Sequence, residues 1–83
     1  YYQINLEQIK NPILCESIQA IYNNNNDLYI YDMSYNINFP VLMGVLICKD
    51  TNKIFTNISA SPVFDIALER IITELYQGGQ KIN

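Results

Sequence analysis

A polar stripe runs along the last helical segment of this 83-residue chain, residues 65–78. Arg70, Glu74 and Gln77 are spaced three and four residues apart, so an α-helix places them on one side. A carboxylate binds Mg²⁺ alongside phosphate oxygens, and a guanidinium offers paired donors to a phosphate. The simpler interpretation is an exposed ion pair between Arg70 and Glu74. The stripe is therefore either a site for a metal-bound phosphate or an ordinary solvent-exposed surface.

The rest of the same segment indicates how the stripe is held. An apolar face lies on nearly the opposite side of the helix at about 100° per residue, and its members are Phe64, Leu68, Ile71 and Leu75. Ser61 and Pro62 predict the start of the helix as its cap and first residue, and Gly78-Gly79 predicts its end. The stripe should therefore face away from the core.

Upstream of this helix, the pattern predicts one more helix and three strands. Asn11 can cap a helix that has Pro12 at its first position. Strands are predicted at residues 28–33, 41–48 and 53–59, and the middle one, a continuous apolar run, should be buried on both faces. The short turn after it predicts an antiparallel hairpin. The fold class is α+β: a helix, a three-stranded mixed or antiparallel sheet containing a β-hairpin, and a C-terminal helix.

Composition limits the classes of function. A net charge of −3 without any cluster of Lys and Arg argues against nucleic-acid binding. The longest apolar run, residues 41–48, is far shorter than the roughly 18 residues that span a membrane. The chain has no histidine, and its two cysteines form no CxxC pair, which argues against a zinc site. Two thiols without a secretory signal fit the cytoplasm.

Two familiar kinds of catalytic site are missing from the sequence. Gly78-Gly79 follows a helix, whereas glycines that cradle a phosphate precede one. No serine lies in a nucleophile elbow, and there is no histidine to act as its base. We therefore assign no catalytic residue to this chain.

The segment from Phe39 to Gly78 resembles the C-terminal part of a YcaO domain. The family pattern there is an aspartate-bearing strand, a loop ending in Pro before an apolar strand, a hairpin, and a helix of the form AxxRxxTExxQG. The corresponding elements here are Asp32, Phe39-Pro40-Val41, the turn at 49–53, and ALERIITELYQG from Ala67 to Gly78. The LERxxTExxQG form is nearer to the stand-alone branch, linked to methylthiolation of a ribosomal protein, than to peptide cyclodehydratases.

This resemblance implies an ATP-dependent activity. YcaO proteins bind ATP with magnesium through carboxylate-bearing helices and phosphorylate the oxygen of a peptide backbone amide, which yields azolines, thioamides or amidines. The resemblance implies that Glu74, as a magnesium ligand, and Gln77 border the nucleotide site. It also implies that Arg70 lies near the phosphates or braces the carboxylate. The implied substrate is a peptide or a protein.

The family's earlier serine- and glutamate-bearing helices have no counterpart in this sequence. We therefore expect residues 1–83 to be a single partial domain, the C-terminal portion of a larger α/β domain, which is inactive without the rest of that domain. The second hypothesis is a non-catalytic YcaO-like module that binds a peptide or associates with a partner, including another copy of itself. Its motivation is the low charged fraction, 16%, and the exposed edge of a small sheet.

Overall fold

The computed structural model describes residues 2–34 and 38–80. Two helices lie on one side of a four-stranded antiparallel sheet whose strand order follows the chain. The elements are β1 (Tyr2–Gln3), a 3₁₀ turn (Leu6–Gln8), α1 (Pro12–Asn23), β2 (Asn26–Asp32), β3 (Val41–Cys48), β4 (Lys53–Ala60) and α2 (Phe64–Gln80). The α+β class is confirmed, and so are the hairpin and the bounds of β3.

The prediction of three strands is wrong, because a short fourth strand lies at the edge of the sheet. In β1, Tyr2 pairs with Asp32 and Gln3 with Tyr31. Two residues are too few to show the period-2 alternation that identifies a strand in a sequence. The second strand also begins earlier than predicted, since Asn26 belongs to β2. Asn25 makes the preceding turn in the left-handed region, with φ of 63°, which asparagine tolerates.

The hydrophobic core lies between the helices and one face of the sheet. Its buried members are Leu14, Ile18, Ile21, Leu28, Ile30, Leu42, Leu46, Ala67, Leu68, Ile71, Ile72 and Leu75. Phe64 was predicted in this set, but it remains 39% exposed because it is the first residue of α2. Ala67 and Ile72 complete the apolar face instead. Burial of this face fixes the rotation of α2 on the sheet.

The prediction that β3 is buried on both faces is also wrong for the described residues. Leu42, Gly44 and Leu46 face the helices and are buried, whereas the residues between them are partly exposed. On the adjoining strand, Ile54 and Ile58 are 63% and 61% exposed. The sheet therefore presents an apolar open face, which the described part of the chain does not cover.

Helix α2 differs from its prediction at both ends. The hydroxyl of Ser61 accepts a hydrogen bond from Val63 N at 3.2 Å, so it caps a turn that precedes the helix, which begins at Phe64. The helix then continues through Gly78 to Gln80, because glycine costs only about 1 kcal/mol in a helix and does not force an end. None of the helices among the described residues is long and apolar enough to cross a membrane.

Helix α1 depends on the cap that the sequence predicts. Asn11 Oδ1 accepts hydrogen bonds from Ile13 N at 2.9 Å and from Leu14 N at 3.3 Å. Asn11→Ala is expected to lower the free energy of unfolding by about 1 kcal/mol, because two amide groups lose their acceptor. Urea denaturation of the 83-residue chain measures this change. Asn11→Asp is the matched control, since it keeps the acceptor, and equal losses in both variants would contradict the prediction.

Candidate functional site

The stripe predicted from the sequence lies on the solvent side of α2. Arg70, Glu74 and Gln77 are all exposed. The opposite side of the helix contains the buried residues, including Ile71 and Leu75. The three polar side chains are therefore available to a ligand or to a neighbouring surface, and the core does not use them.

Glu74 contacts the edge of the sheet. Its Oε2 accepts a hydrogen bond from Asn57 Nδ2, which belongs to β4. Asn57 is half-buried on the side of β4 that faces the helices, and its own Oδ1 accepts from Ile58 N at 2.8 Å. Sequence reasoning gave Asn57 no role. The available signal was its type, a polar residue on the strand face that packs beneath a helix.

The exposed ion pair between Arg70 and Glu74, offered above as the simpler interpretation, does not form. Among the described residues, the one ion pair joins Lys49 Nζ to Asp27 Oδ1 at 3.3 Å, far along the chain from the stripe. Within this same set, the Arg70 side chain makes no hydrogen bond, and Glu74 uses only one of its oxygens. The N–H donors of Arg70 and one carboxylate oxygen of Glu74 therefore have no partner among the described residues.

Helix α2 comes close to the sheet next to Glu74. Gly44 in β3 is directly opposite Asn57 in the β-ladder. A Cβ atom added at Gly44 would lie 2.5 Å from Leu75 Cδ1 and 3.2 Å from Ile71 Cγ1. The absence of a side chain at this position lets α2 approach β3, and this approach brings Glu74 within reach of β4.

The stripe lies apart from two clefts that the described residues form. A cleft of about 450 Å³ separates the segment around Ile9 from the start of α2 at Phe64, and Tyr22 lines another beside β2. Burial, together with the nearby Asp27 carboxylate, raises the pKa of the Tyr22 hydroxyl above its usual value. None of the stripe residues lines either cleft.

A magnesium ion would find one suitable ligand here. Among the described residues, no three acidic, cysteine or histidine side chains are close enough together to hold a metal. Glu74 nevertheless fits a single coordination position, because its Oε1 accepts no hydrogen bond within that part of the chain. Glu74 thus offers one oxygen to a metal ion, which needs further ligands from other groups.

Asp32, the aspartate of the family pattern, has a local structural contact. It ends β2, and its Oδ1 accepts a hydrogen bond from Ser34 N at 2.8 Å. The Ser34 hydroxyl in turn accepts from Val41 N at 2.8 Å. These bonds hold the start of the β2–β3 connection against β3, and they do not involve the stripe.

Comparison with known proteins identifies the family. All of residues 1–83 match the family model described as YcaO cyclodehydratase, ATP- and Mg²⁺-binding. The chain belongs to the YcaO family. It is 34% identical over 67 residues to the ribosomal protein S12 methylthiotransferase accessory factor YcaO of Escherichia coli K12. It is equally similar, 34% over 67 residues, to an uncharacterized protein of Haemophilus influenzae. Each match covers 81% of this chain and 11% of the relative.

Two solved heterocyclase structures show the same fold. A heterocyclase in complex with substrate and cofactor superposes with a TM-score of 0.82 and 24% identity, over 99% of this chain and 11% of the heterocyclase. The heterocyclase TruD gives a TM-score of 0.79 at 24% identity, over 96% of this chain and 12% of TruD. The 83 residues therefore correspond in fold to about a tenth of a larger protein.

Proposed function

We propose that this chain is the C-terminal portion of a YcaO enzyme that binds ATP with magnesium and activates a peptide backbone amide by O-phosphorylation. The observation that carries the proposal is the outward stripe of α2, in which Arg70 and Glu74 stay unpaired with each other on the family's helix motif. Further support comes from the family description, which names ATP and Mg²⁺.

Each residue of the stripe has a role that its chemistry suits. Glu74 offers a hard anionic oxygen as a magnesium ligand. Arg70 offers paired N–H donors to phosphate oxygens, and Gln77 offers a neutral carboxamide one turn further along. Bound ATP supplies the phosphoryl group, and magnesium offsets its charge during transfer.

The rest of the parent protein would complete the site. This chain contributes one carboxylate and one guanidinium, so by itself it should be inactive. A peptide or a protein is the proposed substrate, in line with the names of the relatives, an accessory factor for ribosomal protein S12 methylthiotransferase and heterocyclases. Azoline, thioamide or amidine formation and an accessory role in ribosomal-protein methylthiolation are the reactions that this proposal covers.

One observation favours the alternative, a non-catalytic YcaO-like module that binds a peptide or associates with a partner. The open face of the sheet exposes Ile54 and Ile58, and apolar faces of this kind often bind another protein. Such a module needs no nucleotide. Magnesium-dependent ATP binding therefore distinguishes the two functions.

Arg70→Gln in the full-length protein tests the proposal. Loss of the charged donors is expected to weaken ATP binding by about 10- to 100-fold, since a hydrogen bond to a charged group contributes about 1.5–3 kcal/mol. Isothermal titration with ATP and magnesium measures the affinity. Glu69→Gln is the matched control, an exposed charge change at the neighbouring position outside the stripe. Equal affinities in the two variants would contradict the role of Arg70.

A further inference from the structure

Glu74 has two candidate hydrogen-bond partners, Arg70 and Asn57, and in the structure it is bonded to Asn57. Arg70 lies four residues before it on the same helix, a spacing at which opposite charges attract each other. Glu74 instead accepts a hydrogen bond from Asn57, on a different element and 17 positions away in the sequence. A neutral donor thus replaces the charged one.

The packing around Asn57 explains why Glu74 is bonded to this residue. Asn57 is directly opposite Gly44, where the missing side chain lets Leu75 pack closely on the sheet. Glu74 is adjacent to Leu75, so the same packing brings its carboxylate to β4. The Asn57 carboxamide is itself oriented, because its Oδ1 accepts from Ile58 N at 2.8 Å and its amide group is left to face Glu74.

We propose that Asn57 is a positioning residue for the ATP site, and that it holds the Glu74 carboxylate away from Arg70. The bond to Oε2 leaves Oε1 as the oxygen for magnesium, and the Arg70 donors stay available for a phosphate. Without Asn57, Glu74 and Arg70 would pair and neutralise each other. Partners that orient a metal ligand in this way strongly affect metal affinity. This inference rests on the proposed function.

The test measures how much magnesium the full-length protein needs to bind a non-hydrolysable ATP analogue. Asn57→Ala is expected to raise the magnesium concentration for half-maximal binding by about 10- to 100-fold. Thr56→Ala is the matched control, because it alters the neighbouring position of β4 on the open face of the sheet. The midpoint of thermal unfolding without ligand is measured on every variant, and a residue with only a structural role would lower that midpoint and leave the magnesium requirement unchanged.

A second variant keeps the test decisive if Asn57→Ala does not fold. Asn57→Leu has nearly the same shape but has neither the N–H donor nor a charge that could bind the metal, so it is expected to raise the magnesium requirement about as much as Asn57→Ala. Magnesium-dependent binding in the wild type with no shift in the folded variant would overturn the role of Asn57 and leave the proposed function standing. A wild-type protein that binds the analogue equally well without magnesium would contradict the proposed function, and the role of Asn57 with it.

Discussion

Glu74→Gln in the full-length protein is expected to reduce ATP turnover by about three orders of magnitude while the fold is retained. Mg²⁺ prefers anionic oxygens, and a bound metal contributes several kcal/mol to stabilising the transferred phosphoryl group. Glutamine removes the charge and keeps the shape. Its carboxamide oxygen can still accept the hydrogen bond from Asn57, so the contact between α2 and β4 should survive.

The rate of ADP release from ATP and magnesium measures this effect. Glu69→Gln makes the same chemical change on the same helix, at an exposed position outside the stripe, and it should turn over ATP like the wild type. Circular dichroism shows whether both variants are folded. Turnover in Glu74→Gln at the level of Glu69→Gln would remove Glu74 from the metal site.

Gly44→Ala has the second large expected effect, a loss of about 1–3 kcal/mol in the free energy of unfolding. The added Cβ would lie 2.5 Å from Leu75 Cδ1 and 3.2 Å from Ile71 Cγ1, so both side chains must move. Leu75 Cδ1 is the free end of a flexible side chain and can turn aside, whereas Ile71 Cγ1 is next to the helix backbone, so relief of its contact is expected to move α2 slightly away from β3. The contact between Glu74 and Asn57 should weaken for the same reason.

Urea denaturation of the 83-residue chain measures the loss, and a second glycine provides the control. An added Cβ at Gly78 meets nothing within 4 Å, and Gly78 lies inside α2. Gly78→Ala is therefore expected to stabilise the chain by up to about 1 kcal/mol, through helix propensity alone. If Gly44→Ala were as stable as Gly78→Ala, the close approach of α2 to β3 would be contradicted.

Local pattern was sufficient to predict most of the fold. The continuous apolar run defines β3 at Val41–Cys48, and Asn11 with Pro12 marks the start of α1. The strand β1 could not be predicted, because its two residues are held by pairing with distant positions in β2. The prediction that β3 is buried on both faces was wrong. An apolar run shows that both faces of a strand are apolar, but it does not show whether another part of the protein packs on each face.

The site was predictable in one part only. Helical periodicity predicts that Arg70, Glu74 and Gln77 lie on one exposed side of α2, and the structure confirms this arrangement. The partner of Glu74 depends on how α2 crosses the sheet, and that crossing depends on the close approach at Gly44. A contact between positions 57 and 74 leaves no trace in the spacing of residues along the chain. The roles of the stripe residues in nucleotide and metal binding stay predictions.

A structure of the full-length protein with magnesium and a non-hydrolysable ATP analogue tests the central claim most directly. The predicted result is a Glu74 oxygen at about 2.1 Å from the magnesium ion, with Asn57 still bound to the other oxygen. The Arg70 guanidinium should donate hydrogen bonds to a phosphate. Magnesium and phosphates held entirely by other residues, with the stripe of α2 in contact with solvent, would contradict the claim.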